Sequence, residues 1–176
     1  MSTNGAWRIR RADPDEAAGL ERLQERSSTH WGYPPGYFDW AGDARAIPEA
    51  YVRINPVFVL EQEGGRVLGF YAFTEEGGDL FLDKLFVDAD QIGKGYGKLL
   101  WRHAIHTAGE LGRSDFIVAS DPNAAPFYAA MGAVEYATKP TAEPSWTLHM
   151  FRHTLSSSFP LRAGRRSESG DDRTIR

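Results

Sequence analysis

The sequence contains no cysteine among its 176 residues. This absence excludes disulfide bonds, thiolate metal sites and a cysteine nucleophile. No apolar run approaches the roughly 20 residues that a membrane-spanning helix needs. The first residues, MSTNGAWRIRRAD, also lack the apolar segment of a signal peptide. The sequence therefore predicts a cytoplasmic protein that does not cross a membrane.

An excess of basic residues is also lacking. The chain has 20 Lys and Arg against 24 Asp and Glu, a formal net charge of −4, which argues against a protein whose main ligand is nucleic acid. Its 41% hydrophobic and 25% charged residues are typical of a globular protein. We expect a single domain over residues 1–155 and a flexible polar tail over residues 156–176.

The most informative stretch is residues 79–109. An apolar run over residues 80–87, LFLDKLFV, predicts a strand buried on both faces. After a short polar connection, residues 93–98, GKGYGK, open a helical pattern. A glycine-rich turn at the start of a helix leaves backbone N–H groups unpaired, and the helix dipole attracts anions there. Because Lys94 and Lys98 add positive charge, the pattern predicts a phosphate or pyrophosphate site.

Two common phosphate-binding motifs do not fit this turn. A P-loop requires Ser or Thr directly after its Gly-Lys pair, but Leu99 follows Gly97-Lys98. It also requires a glycine five residues before the glycine of that pair, and this position is Ile92. A dinucleotide fingerprint requires glycines at offsets 0, 2 and 5. Counted from Gly93, the last position is Lys98.

A second pattern follows one strand later. Residues 115–120, DFIVAS, predict a buried strand that pairs in parallel with the central strand through a right-handed crossover. The next residues, DPNAAPFYAAMGA at 121–133, predict a short helix that begins at Asp121-Pro122 and stops at Gly132.

Together these two patterns resemble the GCN5-related N-acetyltransferase (GNAT) family. Its acetyl-CoA pyrophosphate loop is commonly Gln/Arg-x-x-Gly-x-Gly/Ala. Gly95-Tyr96-Gly97 fits the second half of that loop, while Ile92 stands where the family prefers Gln or Arg. The Asn123…Phe127-Tyr128…Gly132 pattern resembles the family's fourth helix. The resemblance covers roughly residues 7–153, with sharp motifs only in residues 80–133.

The resemblance implies a mixed α/β fold: a central mixed sheet of six to seven strands, splayed between strands 4 and 5, with about four flanking helices. Sequence patterns place helices after Asp13-Pro14 and over residues 41–54, and a hairpin turn at Gly64-Gly65. The predicted strands are residues 7–12, 57–63, 66–75, 80–87, 115–120, 134–138 and 145–154. The apolar positions of the helix after the glycine turn are Leu99, Leu100, His103, Ala104, Ala108 and Leu111.

The resemblance also implies a function, which is transfer of the acetyl group of acetyl-CoA to a primary amine by direct attack. The pantetheine arm would bind main-chain groups of Leu85, Phe86 and Val87, and Asn123 is a candidate polar contact to it. Asn123 is equally well explained as a residue of a first helical turn that makes only local bonds. The candidate pyrophosphate-binding residues are Ile92, Gly93, Lys94, Gly95, Tyr96, Gly97 and Lys98. The implied partners are acetyl-CoA and an amine acceptor, a small molecule or a peptide, with homodimerisation possible in such proteins.

Two residues are candidates for proton transfer. Tyr128 has an ordinary pKa near 10, above that of a thiol near 8.5, so it holds its proton at neutral pH and can deliver it to a departing thiolate. Alternatively, its ring only packs against a core. Asp83 is the carboxylate within the apolar strand, where a period of two places it on one face with Phe81, Leu85 and Val87. Burial would make it a better base. It is equally well explained as an ion-pair partner of Arg8 or Arg10.

Several alternatives remain open at this point. A CoA-binding module that senses or scaffolds without turnover would share the same motifs. The aromatic segment HWGYPPGYFDW, residues 30–40, either lines the acceptor pocket or forms a satellite core. His103 fits a core histidine better than a catalyst. Since no spacing of His, Asp and Glu is typical of a metal site, we expect no metal.

Overall fold

The computed structural model describes residues 6–33, 45–141 and 147–156. Within these ranges the chain forms seven strands and four α-helices. The strands are β1 (Trp7–Arg11), β2 (Val57–Gln62), β3 (Val67–Glu76), β4 (Asp79–Val87), β5 (Asp115–Ser120), β6 (Val134–Pro140) and β7 (Thr147–Thr154). The helices are α1 (Ala17–His30), α2 (Glu49–Ile54), α3 (Tyr96–Glu110) and α4 (Ala125–Ala130).

The strands form one mixed sheet in the order β1-β2-β3-β4-β5-β7-β6. Strands β1 to β4 are antiparallel neighbours, β4 and β5 are parallel, and β7 is antiparallel to both β5 and β6. Both β4 and β5 lie wholly within the described residues, and they are in register only at Phe81 and Ile117. Beyond that pair they separate. The mixed sheet with a splay between its fourth and fifth strands is therefore confirmed.

A β-bulge interrupts β4. Ala72 lies opposite Lys84 and Phe73 lies opposite Leu82, which leaves Asp83 as an extra residue without a partner in β3. A bulge shifts the alternation of side chains by one position. Asp83, the first charged residue of the apolar run, therefore interrupts the pairing of β4 with β3.

The bulge changes which residues of β4 share a face. Leu82 packs in the core between the sheet and α3, and Leu85 and Val87 contact that same core. Phe86 instead contacts the core beneath α1 and α2. The expectation that Asp83 shares a face with Leu85 and Val87 is wrong, because it assumed an uninterrupted period of two.

The two cores are built from aromatic and aliphatic side chains on opposite faces of the sheet. Trp101 of α3 is 2% exposed and packs edge-on to Phe116 with ring centroids 5.3 Å apart. The sequence pattern of α3 did not include this residue. Leu111, which that pattern did include, follows the end of α3 and is 43% exposed.

Most predicted elements lie within a few residues of their observed bounds, with two differences. Helix α4 begins at Ala125 rather than at Asp121, because residues 121–124 form a turn and Pro126 occupies the first helical turn. Helix α2 begins at Glu49, and the first residues predicted for it, 41–44, lie outside the described residues. The predicted tail beyond residue 156 also lies outside them. No helix in the described part of the chain is long and apolar enough to span a bilayer.

Candidate active site

The gap between β4 and β5 opens into a cavity of about 650 Å³. Its walls are the second half of β4, the turn before α3, the end of β5, the start of α4 and the inner face of α1. All the site residues predicted from the sequence line it, except Lys94. The Nζ of Lys94 instead donates a hydrogen bond to Oε1 of Gln91 over 3.1 Å.

The turn before α3 presents main-chain donors to this cavity. Gly93 and Gly95 have φ angles of 83° and 87°, a left-handed conformation that favours glycine. Helix α3 starts immediately after Gly95, and the N–H of Leu99 already bonds to the Gly95 carbonyl over 3.3 Å. Within the described residues, the N–H groups of residues 96–98 have no hydrogen-bond partner. Such a cluster can bind a phosphate group.

Gly97 allows close packing at the same helix start. A Cβ atom built on Gly97 would lie 3.4 Å from Cε2 of Phe127 and 3.8 Å from Cγ2 of Val87. The first turn of α3 therefore lies directly against α4 and the end of β4. A larger side chain here would displace the Phe127 ring at the cavity wall.

Tyr128 lies at the cavity wall on α4 and is 7% exposed. Its ring packs against Trp101 at 5.7 Å and Phe151 at 6.1 Å between centroids. Within the described residues its hydroxyl has no hydrogen-bond partner. Burial, and secondarily the negative charge of Asp121, raise the pKa of Tyr128 above its ordinary value. The phenol is therefore protonated at neutral pH.

Asp121 organises the turn that leads into α4. Its Oδ1 accepts hydrogen bonds from the N–H groups of Asn123 at 2.7 Å and Ala124 at 3.0 Å. The same oxygen accepts the hydroxyl of Tyr33 at 2.6 Å. This carboxylate links the segment after α1 to the start of α4. The sequence indicated Asp121 as a helix start, but no pattern predicted its contact with Tyr33.

Asp83 projects from the bulge of β4 and is bound on one oxygen. Its Oδ2 accepts the hydroxyl of Tyr51 at 2.6 Å and lies 3.2 Å from Nζ of Lys84. Burial, followed by the negative charge of Asp83, raises the pKa of Tyr51. The ion pair of Asp83 is therefore with Lys84, not with the arginines of β1. Those arginines bind carboxylates elsewhere, Arg8 to Glu61 and Arg10 to Glu61 and Glu16.

The inner face of α1 contributes polar side chains that the sequence analysis missed. Gln24, Ser27 and Ser28 are 3%, 4% and 7% exposed, and all three line the cavity. Trp31 and Tyr33, from the start of the aromatic segment, also line it, while residues 34–40 of that segment lie outside the described residues. Polar positions on a helix normally indicate its solvent face, so no local signal marked these residues.

The histidines considered from the sequence lie away from this cavity. His103 is half-buried, with Nδ1 2.8 Å from the Tyr71 hydroxyl, and burial lowers its pKa. His30 is exposed and stacks edge-on against Trp31. Within the described residues, no group of three or more His, Cys, Asp or Glu side chains could hold a metal ion.

Comparison with protein-family models finds a match to part of the chain. Residues 53–132 match the family model described as the acetyltransferase (GNAT) domain. This match includes β4, the glycine turn, α3 and α4. No curated protein sequence matches the chain at a significant level.

Solved structures of acetyltransferases share the fold at low sequence identity. The PaiA N-acetyltransferase of Thermoplasma acidophilum, solved in complex with coenzyme A, superposes with a TM-score of 0.70 at 15% identity. The match covers 85% of this chain and 99% of that protein's chain. The yncA protein of Salmonella typhimurium, solved with its cofactor acetyl-CoA, has a TM-score of 0.66 at 20% identity. The match covers 93% of this chain and 99% of that protein's chain. The ribosomal-protein-S18-alanine N-acetyltransferase of Escherichia coli has a TM-score of 0.63 at 16% identity. The match covers 86% of this chain and 95% of that protein's chain.

The seven-stranded mixed sheet, with β4 and β5 parallel, and the four helices match the fold of these neighbours. Residues 53–132 thus match the acetyltransferase (GNAT) domain model, and the chain has the fold of the GNAT acetyltransferases.

Proposed function

We propose that this protein is an acetyl-CoA-dependent N-acetyltransferase that acts on a primary amine. The observation that carries the proposal is the continuous cavity, which joins the glycine turn before α3 to Tyr128 and Asp83 through the gap in the sheet. Acetyl-CoA supplies an activated acetyl thioester and an anionic pyrophosphate. The acetyl-CoA and coenzyme A complexes of the two proteins of similar fold support this choice of ligand.

The chain has a suitable group for each part of this ligand. The unpaired N–H groups of residues 96–98, together with Lys98 at the cavity wall, suit the pyrophosphate. The main chain of Leu85, Phe86 and Val87 faces the gap beyond the last β4–β5 pair, so it suits an extended pantetheine arm that bonds like an added strand. Asn123 lines the same cavity, and its side chain suits a further polar contact.

Tyr128 is the proposed general acid. The amine nitrogen attacks the thioester carbonyl carbon, a C–N bond forms and the C–S bond breaks. The departing sulfur takes the hydroxyl proton of Tyr128, whose raised pKa keeps that proton in place until it is needed. Solvent then returns a proton to the phenolate.

Asp83 is the proposed acceptor of the proton that the amine loses. Its Oδ2 is bound to Tyr51 and Lys84, while Oδ1 has no hydrogen-bond partner within the described residues. Oδ1 is therefore the oxygen that is available to accept a proton from the amine. Transfer of that proton through water to solvent would achieve the same proton balance without Asp83.

The first test is calorimetric binding of acetyl-CoA to the wild type and to Gly95→Glu. The matched control is Gly65→Glu, which adds the same charge at a glycine of similar φ (85° against 87°) in the β2–β3 hairpin, outside the cavity. We expect micromolar binding that is lost only in Gly95→Glu. Absence of binding by the wild type at millimolar acetyl-CoA would contradict the proposal.

Turnover is then measured as thiol release with a panel of amines. Because the chain has no cysteine, it contributes no thiol of its own to this assay. Binding without thiol release for any amine would favour the alternative, a CoA-binding module that does not turn over.

A further inference from the structure

The inner face of α1 changes character along its length. Leu20 and Leu23 pack in the core beneath α1 and α2. The next buried positions of the helix are Gln24, Ser27 and Ser28, where the helix covers the cavity. Burial of polar side chains costs free energy unless they are hydrogen-bonded. Their partners therefore show what this part of the helix is built to bind.

Part of this polar face is satisfied within the protein. The Ser28 hydroxyl donates to the main-chain carbonyl of Gln24 over 2.8 Å. The Nε2 of Gln24 donates to the main-chain carbonyl of Arg45 over 3.0 Å. This second bond fixes the orientation of the Gln24 amide, so its oxygen and nitrogen are not interchangeable here.

Two polar atoms on the same face are not satisfied. Oε1 of Gln24 is buried and receives no hydrogen bond within the described residues. The hydroxyl of Ser27 also makes none within them. Gln24 and Ser27 are three residues apart on one helix, so their Cβ atoms are neighbours at about 5–6 Å. A buried unsatisfied carbonyl oxygen beside a hydroxyl without a protein partner in the described residues, both from residues that line the cavity, points to a ligand group that completes them.

We propose that Ser27 and Gln24 form a hydrogen-bonding subsite for the amine acceptor. One of the two atoms is a hydroxyl that can donate or accept, and the other is a carbonyl oxygen that only accepts. A ligand group that both accepts and donates matches this pair. The acceptor is thus a primary amine that carries a hydroxyl or a carboxamide as a second polar group. This inference rests on the N-acetyltransferase function proposed above.

The test combines substrate pairs with protein variants. Ethanolamine is paired with propylamine, and glycinamide with isobutylamine, so that each pair exchanges a polar group for a hydrocarbon of similar size. We expect the wild type to prefer the polar member of each pair. Ser27→Ala lowers kcat/KM for the polar members about tenfold and changes the hydrocarbon members less than twofold. Gln24→Met, of nearly equal volume, reduces the same preference.

The matched control is Ser28→Ala, at the neighbouring cavity-lining serine whose hydroxyl already bonds to the helix. It should leave the preference unchanged, and acetyl-CoA binding should be unchanged in all three variants. Equal loss for both members of a pair, or a wild-type preference for the hydrocarbon amines, would overturn the inference but not the acetyltransferase function. Acetyl-CoA binding without thiol release from any amine would overturn both.

Discussion

Asp83 and Lys84 are consecutive residues of β4, yet their charged atoms lie 3.2 Å apart on the same side of the strand. Side chains of adjacent residues in a regular strand point to opposite faces. The bulge at Asp83 removes that constraint and lets Lys84, whose side chain is 4% exposed, neutralise its charge locally. Both side chains also contact Tyr51 of α2, through a hydrogen bond and a cation–π contact at 5.3 Å.

Deletion of Asp83 should destabilise the protein far less than deletion of Leu85. Without the extra residue, Leu82 and Lys84 become neighbours and stay opposite Phe73 and Ala72, so the other side chains of β4 keep their faces. That deletion loses the contacts of Asp83 with Tyr51 and Lys84, about 1–3 kcal/mol. Deletion of Leu85, a regularly paired residue, turns the residues on one side of it to the wrong face, and we expect it to abolish cooperative unfolding in urea. Equal stability of the two deletion variants would contradict this account.

Tyr128→Phe should reduce kcat by about 100-fold or more, because it removes the proton donor for the thiolate. The ring contacts with Trp101 and Phe151 remain, so the affinity for acetyl-CoA and the free energy of unfolding should change little. The matched control is Tyr136→Phe, at a tyrosine of β6 that is 51% exposed and outside the cavity. Steady-state thiol release measures both. Unchanged kcat in Tyr128→Phe would exclude it as the general acid.

The two glycines that flank Tyr96 should respond differently to alanine. Gly95 has a φ of 87°, so Gly95→Ala strains the backbone and should cost about 1 kcal/mol of unfolding free energy. Gly97 is helical, and alanine there gains up to about 1 kcal/mol of helix propensity. That gain is reduced by the 3.4 Å contact with Phe127. Urea denaturation compares the pair, and a larger loss for Gly97→Ala would contradict the geometry of the turn.

Acid should weaken the link between α1 and the residue that follows β4. Arg26 binds Asp88 through two hydrogen bonds of 2.9 Å, which lower the pKa of that buried carboxyl below its ordinary value of about 3.9. A carboxyl whose pKa is lowered by folding stabilises the fold above the unfolded-state pKa. That contribution disappears as the pH falls through the folded-state pKa.

The variant Arg26→Met should therefore lose about 1–2 kcal/mol at pH 7 and approach the wild type as the pH falls below the lowered pKa of Asp88. Urea unfolding across this pH range tests the expectation. Arg53→Met is the control, because Arg53 forms an exposed ion pair with Glu49 that contributes little. A loss in Arg26→Met that does not depend on pH would show that the arginine contributes packing rather than charge.

The sequence was a good guide where the signal is local. Residues 115–120 were predicted as a strand and form one with the same bounds, because an apolar run between polar residues suits little else. The glycine turn was recognisable because positive φ angles restrict the residue type. Contacts between residues far apart in the sequence could not be predicted in this way. The contact between Tyr33 and Asp121 joins positions 88 residues apart, and no periodicity indicates it.

Two kinds of feature had no sequence signal. A bulge adds one residue to a strand without changing its composition, so the face of Asp83 could not be assigned. Ser27 and Gln24 are polar residues on a buried helix face, and the usual rule assigns such residues to solvent. In both cases the departure from a regular pattern occurs at the cavity.

The gap between β4 and β5 also has a mechanical consequence. The sheet consists of two parts, strands β1–β4 and strands β5-β7-β6. The ladder between them has a single register pair, Phe81 with Ile117. A force applied across the sheet would separate β4 from β5 before it separated other neighbouring strands. An extended ligand in the gap, hydrogen-bonded to the edge of β4, would add contacts between the two parts. Ligand binding would therefore increase the resistance of the sheet to separation at this point.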